Sequence, residues 1–170
     1  VPKSRVFTSY NKMLELDEIE AVSVCTYNQA HRRPAVSALE AGKHVFCEKP
    51  ISRNIAEAAA MHQAAEKAGI VNYLNHEYRR VPAIALAKQL IDEGRIGRIF
   101  HWRGTYLQSW MVSPDFPLTW HSQKEIAGSG PQSGINSHSV DLARFLVGEI
   151  KSVVAMQANF VTERPQASAD

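Results

Sequence analysis

A repeated alternation of short apolar runs with helical stretches, joined by brief connections, most constrains how this chain can fold. Ala21-Val22-Ser23-Val24-Cys25-Thr26 is nearly continuous apolar sequence with β-branched residues, the pattern of a strand buried on both faces. Tyr27-Asn28-Gln29-Ala30-His31 is a polar loop. Pro34 then lies near the first turn of a helix that runs to Ala41 and stops at Gly42. Residues 44–47 form the next strand. After Pro50, either Ser52 or Asn54 caps a helix to about Lys67, with Ile55, Ala58, Ala59, His62 and Ala65 along one side. Gly69 ends that helix and residues 70–74 read as a further strand. Upstream, Val6-Phe7-Thr8 is strand-like and Ser9 caps a helix over 10–16. Strand, helix, strand, helix with short connections predicts right-handed crossovers, a parallel sheet and helices on both of its faces.

The second half has a different grain. Asn75-His76-Glu77-Tyr78-Arg79-Arg80 is a polar cluster just past a strand end, and a helix over 81–93 breaks at Gly94. Residues 99–107 alternate in the manner of an antiparallel strand with one wet face. Residues 109–130 form a long loop holding Trp110, Trp120, Pro114 and Pro117, and loops of that length in compact domains are usually functional. Asn136 or Ser137 caps a helix reaching Leu146, Gly148 stops it, and 150–161 is strand-like.

Composition removes several function classes. The net charge of +2 arises from interspersed Lys, Arg, Asp and Glu rather than a basic stripe, which argues against nucleic acid as a partner. The seven histidines are scattered, without Cys-x-x-Cys or His-Glu-x-x-His, so no metal site is expected. Cys25 and Cys47 both end strand-like runs and read as buried, reduced thiols, which places the protein in the cytoplasm. No apolar run reaches the length of a membrane span, so no membrane partner is expected. The chain opens without an initiator Met and leads directly into a strand, which suggests a fragment.

Glu48-Lys49-Pro50 stands at the carboxyl end of a predicted parallel strand, the edge where open α/β sheets bind ligands. With the elements assigned, the chain resembles the Gfo/Idh/MocA family of nicotinamide-dependent oxidoreductases, which act on sugars, inositols and related polyols. The resemblance rests on Cys25-Thr26-Tyr27-Asn28 with His31, on Glu40-Ala41-Gly42-Lys43-His44-Val45 leading into Glu48-Lys49-Pro50, on Asn75-His76-Glu77-Tyr78-Arg79, and on Asn136-Ser137-His138-Ser139-Val140-Asp141-Leu142. It runs over nearly the whole chain. It implies an α/β fold: the C-terminal part of a Rossmann-type parallel sheet, then part of an α+β substrate domain with an open, mainly antiparallel sheet. The expected domains are 1–76, dinucleotide-binding, and 77–170, for substrate and oligomerisation. NAD or NADP is the implied cofactor, a sugar or polyol the substrate, and a homo-oligomer the assembly.

By the same resemblance, Thr26, Asn28, His31, Glu48, Lys49 and Pro50 lie near the cofactor, with a cis peptide before Pro50. His76, Arg79 and Asn136 belong to the substrate side. Lys49 and His138 are the catalytic candidates. A lysine held partly buried near a cationic ring has its ammonium form disfavoured, which suits it to take a proton from an alcohol. The ordinary alternatives stand beside these readings: Lys49 as a surface lysine paired near Glu48, His138 as a satisfied core histidine, Asn28 and His31 as loop caps, and His76, Glu77 and Arg79 as a solvated hinge. Trp110 and Trp120 are either core anchors of their loop or a platform under a sugar ring.

Two departures from the family pattern matter. The sequence has no Gly-x-Gly-x-x-Gly turn, and it starts about where the third strand of the cofactor domain is expected, like the middle of a longer protein. Gly134 occupies the position, four before His138, where the family commonly has an aspartate. An alternative function is therefore a truncated or degenerate relative acting as a binding or assembly module. A different doubly wound enzyme, such as a nucleotide-sugar epimerase, also needs the glycine-rich turn.

Overall fold

A computed structural model of the chain describes residues 5–166. The chain divides into two compact units. The first takes the chain up to Asn75 together with Lys124–Ser129, and the second takes His76–Gln123 and the chain from Gly130.

In the first unit three strands, β1 (Ala21–Val24), β2 (His44–Glu48) and β3 (Asn72–Asn75), form a parallel sheet in the order β1-β2-β3. Val24 pairs with Cys47, and Cys47 with Leu74, so the carboxyl ends of all three strands finish level. The connections are α2 (Arg32–Glu40) and α3 (Ile55–Ala68), preceded by the short α1 (Tyr10–Leu14). A strand order that advances steadily in one direction, with crossovers of one hand, puts successive helices on the same face. Accordingly α2 and α3 pack against each other, rather than one on each face.

The core follows from that arrangement. Val24, Val45 and Cys47 meet Ala35, Ala38, Leu39 and Met61, all buried. Burying a side chain the size of Leu or Val contributes about 1.5–3 kcal/mol. The expectation of strands buried on both faces is corrected here. Along β2 buried and exposed residues alternate, and Phe46 on the open face is partly exposed and stacks on Tyr73 with ring centroids 5.5 Å apart. Cys25 is likewise exposed rather than buried. Residues 6–8 form no ladder, and β3 begins at Asn72, two residues later than expected; the Val45 N–H bond to the Val71 carbonyl at 3.1 Å opens its pairing with β2.

Asn54, not Ser52, caps α3: its side-chain oxygen accepts from Glu57 N–H at 3.0 Å, while the Ser52 hydroxyl donates to the Asn54 carbonyl. The helix ends at Gly69 in the left-handed region, with φ +63. The segment that returns to this unit contains α5 (Lys124–Ala127), a helix not apparent in the sequence. Asn28 Nδ2 donates to the Ala127 carbonyl at 2.8 Å, and Arg53 donates to the Glu125 carbonyl at 2.7 Å. Gly128, at φ +80, passes so near Arg53 that a Cβ there would lie 2.9 Å from the Arg53 carbonyl oxygen.

The second unit contains α4 (Pro82–Asp92), with proline in its first turn, and α6 (Ser137–Leu146), and these two pack together. The antiparallel sheet expected over 99–107 and 150–161 has no ladder among the described residues; one isolated parallel bridge joins Leu118 and Gln166. Alternation of apolar and polar residues specifies extended backbone, but a ladder also needs a neighbouring strand. Val154, Met156 and Phe160 are consequently exposed. Asn136 does not cap α6 as expected. The chain is already helical through a wide turn at Gln132–Asn136, where Asn136 keeps helical dihedrals and makes no capping bond.

Asn54→Ala should destabilise the protein by about 1 kcal/mol through loss of the α3 cap, read from the urea midpoint. Arg53 also hydrogen-bonds Glu57 one turn along α3, and this holds the Glu57 carboxyl below its ordinary 4.5, against an opposing effect of burial. A depressed folded-state value means that the pairing stabilises the fold fully above about 4.5 and is lost as pH falls through the folded value. Acid titration of Glu57→Gln should therefore show a shallower loss of stability in that window than the parent.

Candidate active site

The carboxyl edge of the sheet carries the first group of candidates. β2 is hydrogen-bonded on both sides, and it delivers Glu48, Lys49 and Pro50, all half-buried, at that edge. The Lys49-Pro50 peptide is cis. Glu48 is fixed from two directions: Asn75 Nδ2 donates to Oε1 at 2.6 Å, and the Lys49 backbone N–H donates to Oε2 at 3.2 Å. The carboxylate thus ties the ends of β2 and β3 together and sits against the turn that presents Lys49.

His31 does a related task between β1 and β2. Its ring is 1% exposed, with Nε2 2.9 Å from the Thr26 carbonyl and Nδ1 2.9 Å from the Pro50 carbonyl. Carbonyl oxygens only accept, so a neutral ring with one N–H serves one of them at a time and the imidazolium serves both. The side chain joins the two edge loops. Asn28 is buried in the same way, with its amide committed to Ala127. Thr26 remains exposed.

The second unit gathers the other candidates around the start of α6. A tight turn at Glu77–Arg80 precedes α4. From it, Arg79 grips Asp141 with Nε to Oδ2 at 2.8 Å and a second nitrogen to Oδ1 at 2.5 Å, a bidentate pair on a carboxylate only 7% exposed. His76 Nδ1 lies 3.9 Å from the same carboxylate. His138 is buried, 4% exposed, with its ring centroid 4.5 Å from that of Tyr78 and 5.9 Å from that of His76. Asn136 is exposed and donates to Gln132 at 3.0 Å within the wide turn.

Sequence reasoning missed Tyr78 and Tyr106, whose hydroxyls meet at 2.7 Å. That bond, then burial, pushes the Tyr78 phenol up to about 12, so it stays protonated at neutral pH. Trp102, Thr105, Tyr106, Tyr78, His138 and Ser139 line a cavity of about 300 Å³ in this unit. Gly104 admits the Trp102 indole, whose Nε1 would lie 3.2 Å from a Cβ at that position. An aromatic alternating with glycine in an apparent strand was the available signal. Of the two tryptophans singled out earlier, Trp110 is partly exposed, packs edge-on to Phe116 and donates to Gln108, while Trp120 is half-buried and stacks on His121 at 3.8 Å. Neither is a core anchor in the sense of full burial.

The cysteines offer a check on this edge. Burial, reinforced by the Glu48 charge, pushes the Cys47 thiol up to about 12, whereas Cys25 is exposed. A thiol reagent at neutral pH should label one cysteine per folded chain, Cys25, and reach Cys47 on denaturation, as read by peptide mass.

Residues 2–76 match the model of the oxidoreductase family with NAD-binding Rossmann fold, and residues 84–170 match the GFO/IDH/MocA C-terminal domain. The chain is 45% identical to levoglucosan dehydrogenase of Pseudarthrobacter phenanthrenivorans, over 95% of this chain and 41% of that protein. It is 35% identical to 1,5-anhydro-D-fructose reductase of Ensifer adhaerens, over 84% and 42%. Among solved structures, levoglucosan dehydrogenase in complex with NADH and levoglucosan superimposes with a TM-score of 0.92 at 44% identity, covering 94% of this chain and 43% of that one. An NAD binding oxidoreductase from Klebsiella pneumoniae gives 0.92 at 32%, covering 96% and 43%. The chain therefore spans a little over two fifths of the length of these relatives. Its two domain matches, in this order and over nearly its whole length, make it a member of the Gfo/Idh/MocA family.

Proposed function

We propose that the chain forms part of an oxidoreductase that moves hydride between NAD or NADP and a secondary alcohol of a sugar, inositol or related polyol. The observation that carries this reading is Glu48-Lys49-Pro50 at the carboxyl end of the middle strand of a parallel sheet, in a chain of this family. Similarity to a levoglucosan dehydrogenase and a 1,5-anhydro-D-fructose reductase supports an anhydrosugar or related carbohydrate as the substrate class.

A dinucleotide fits the residues present at this edge. Thr26 is exposed and Lys49 and Pro50 are half-buried there, while Glu48, Asn75 and His31 hold the loops that would flank the ligand. When bound, the nicotinamide supplies the hydride chemistry. Lys49 takes the hydroxyl proton at Nζ as the alcohol is oxidised, and returns it in the reverse direction. His138, buried among aromatic rings in the second unit, is the other proton-handling group of this reading through its imidazole. His76, Arg79 and Asn136 orient the remaining substrate hydroxyls.

Among the described residues no helix is long and apolar enough to cross a membrane. A cytoplasmic homo-oligomer without membrane or nucleic-acid partners completes the reading. Gly134, which offers no carboxylate, favours the second reading, a non-catalytic binding or assembly module.

The two readings separate on turnover. In a polypeptide of the relatives' length that carries this chain, NAD(P)-dependent oxidation of levoglucosan or another sugar should be measurable. Lys49→Met should lower kcat by about 10²–10⁴-fold. No turnover across a sugar panel, with NADH still bound by fluorescence titration, would favour the module; turnover unchanged in Lys49→Met would sink the assignment of the base.

A further inference from the structure

The turn at Glu77–Arg80 sends three consecutive side chains toward α6. Arg79 binds Asp141, Tyr78 lays its ring 4.5 Å from that of His138, and Glu77 places Oε1 3.9 Å from His138 Nε2. The acids of this unit are not equally available to the histidine. Asp141 lies one turn along the same helix, but Arg79 engages both of its oxygens. Glu149 is bound by Arg144. Gly134, one turn before His138, has no side chain to offer. Among the described ion pairs, Glu77 is the acid that reaches His138.

We infer that Glu77 is the positioning residue of His138, supplying from the preceding turn the carboxylate that the wide turn before α6 lacks. This rests on the reading of His138 as a proton-handling group. At 3.9 Å the pair acts through charge or through one bridging water rather than a direct hydrogen bond. The carboxylate favours hydrogen on Nε2 and stabilises the imidazolium when it forms, much as a carboxylate orients the base in other proton-transfer sites. The histidine side chain is 5% exposed and that of Glu77 47%, so water screens the acid while the ring it acts on is shielded. Among the described contacts the ring also meets His76, edge-on at 5.9 Å, Tyr106 at 6.1 Å and Tyr78, while the Arg79–Asp141 pair on the same turn and helix is internally neutralised.

The test is the titration of the His138 imidazole followed by NMR in the chain. Glu77→Gln should lower its midpoint by roughly half a pH unit at low salt, a difference that shrinks as salt is raised. Glu77→Lys, which keeps a long polar side chain at this half-exposed position, should lower it further, and Glu77→Asp should retain part of the parent value. The same drop in a His76→Asn background assigns the effect to His138 rather than to its neighbour. A midpoint that holds or rises in either Glu77→Gln or Glu77→Lys overturns the inference. The underlying reading is tested separately by His138→Asn in a polypeptide of the relatives' length. Unchanged turnover there would remove the proton-handling role and leave the pairing intact, whereas an unmoved midpoint removes the pairing whatever the turnover.

Discussion

The two-sided ladder of β2 is the constraint on which the first unit depends. A middle strand paired on both edges cannot slip without breaking two registers at once, because each one-residue shift would turn Val45 and Cys47 out of the core and Phe46 into it. The strand's carboxyl end is therefore fixed in both direction and height, and with it the turn that carries Lys49. The loops on either side are then tied to that turn by polar contacts that bury little surface: Asn75 to Glu48, and His31 to Thr26 and Pro50. Apolar packing sets where the edge lies, and the hydrogen bonds set its shape.

In the second unit charge is distributed by the same logic of commitment. Removing Asp141 from water is tolerable because a guanidinium satisfies both oxygens, with His76 Nδ1 a further 3.9 Å from Oδ2. Arg79 also lies 5.0 Å from the Phe145 ring centre, so its cation is shared between an acid and an aromatic face. The tyrosine hydroxyls of residues 78 and 106 satisfy each other, with Gln108 adding a donor to Tyr106 at 3.1 Å. What surrounds His138 is thus a set of groups already held by their own partners.

Much of this was legible in the sequence because it follows from local rules. The β-branched run at 21–24, the glycines at 42 and 69 and the Asn54 cap define elements whose spacing leaves few topologies open. The order of Glu48-Lys49-Pro50, Asn75-His76-Glu77 and His138 pointed to the family. Other features depend on distant contacts and left no local trace. The face on which a helix packs is decided by strand order, which no single window contains. The wide turn at Gln132–Asn136 overrides an Asn-Ser pair that reads as a cap, since Gly134 N–H already bonds the Gly130 carbonyl at 2.9 Å. Residues 99–107 and 150–161 have the composition of strands, but composition carries no information on which partner completes a ladder.

The segment Lys124–Ser129 has a consequence for how the protein forms. Asn28 is joined to Ala127 across 99 positions of sequence, and Arg53 to Glu125 across 72. Strands β1 to β3 and the helices between them all lie before His76, yet the loop after β1 and the turn before α3 find these partners in a much later stretch. During synthesis the first unit can therefore collapse early around its sheet while the amide of Asn28 is still served by water. The loops at the carboxyl edge of the sheet therefore depend on loop closure over long stretches of chain, which costs more entropy than the local contacts of the sheet itself.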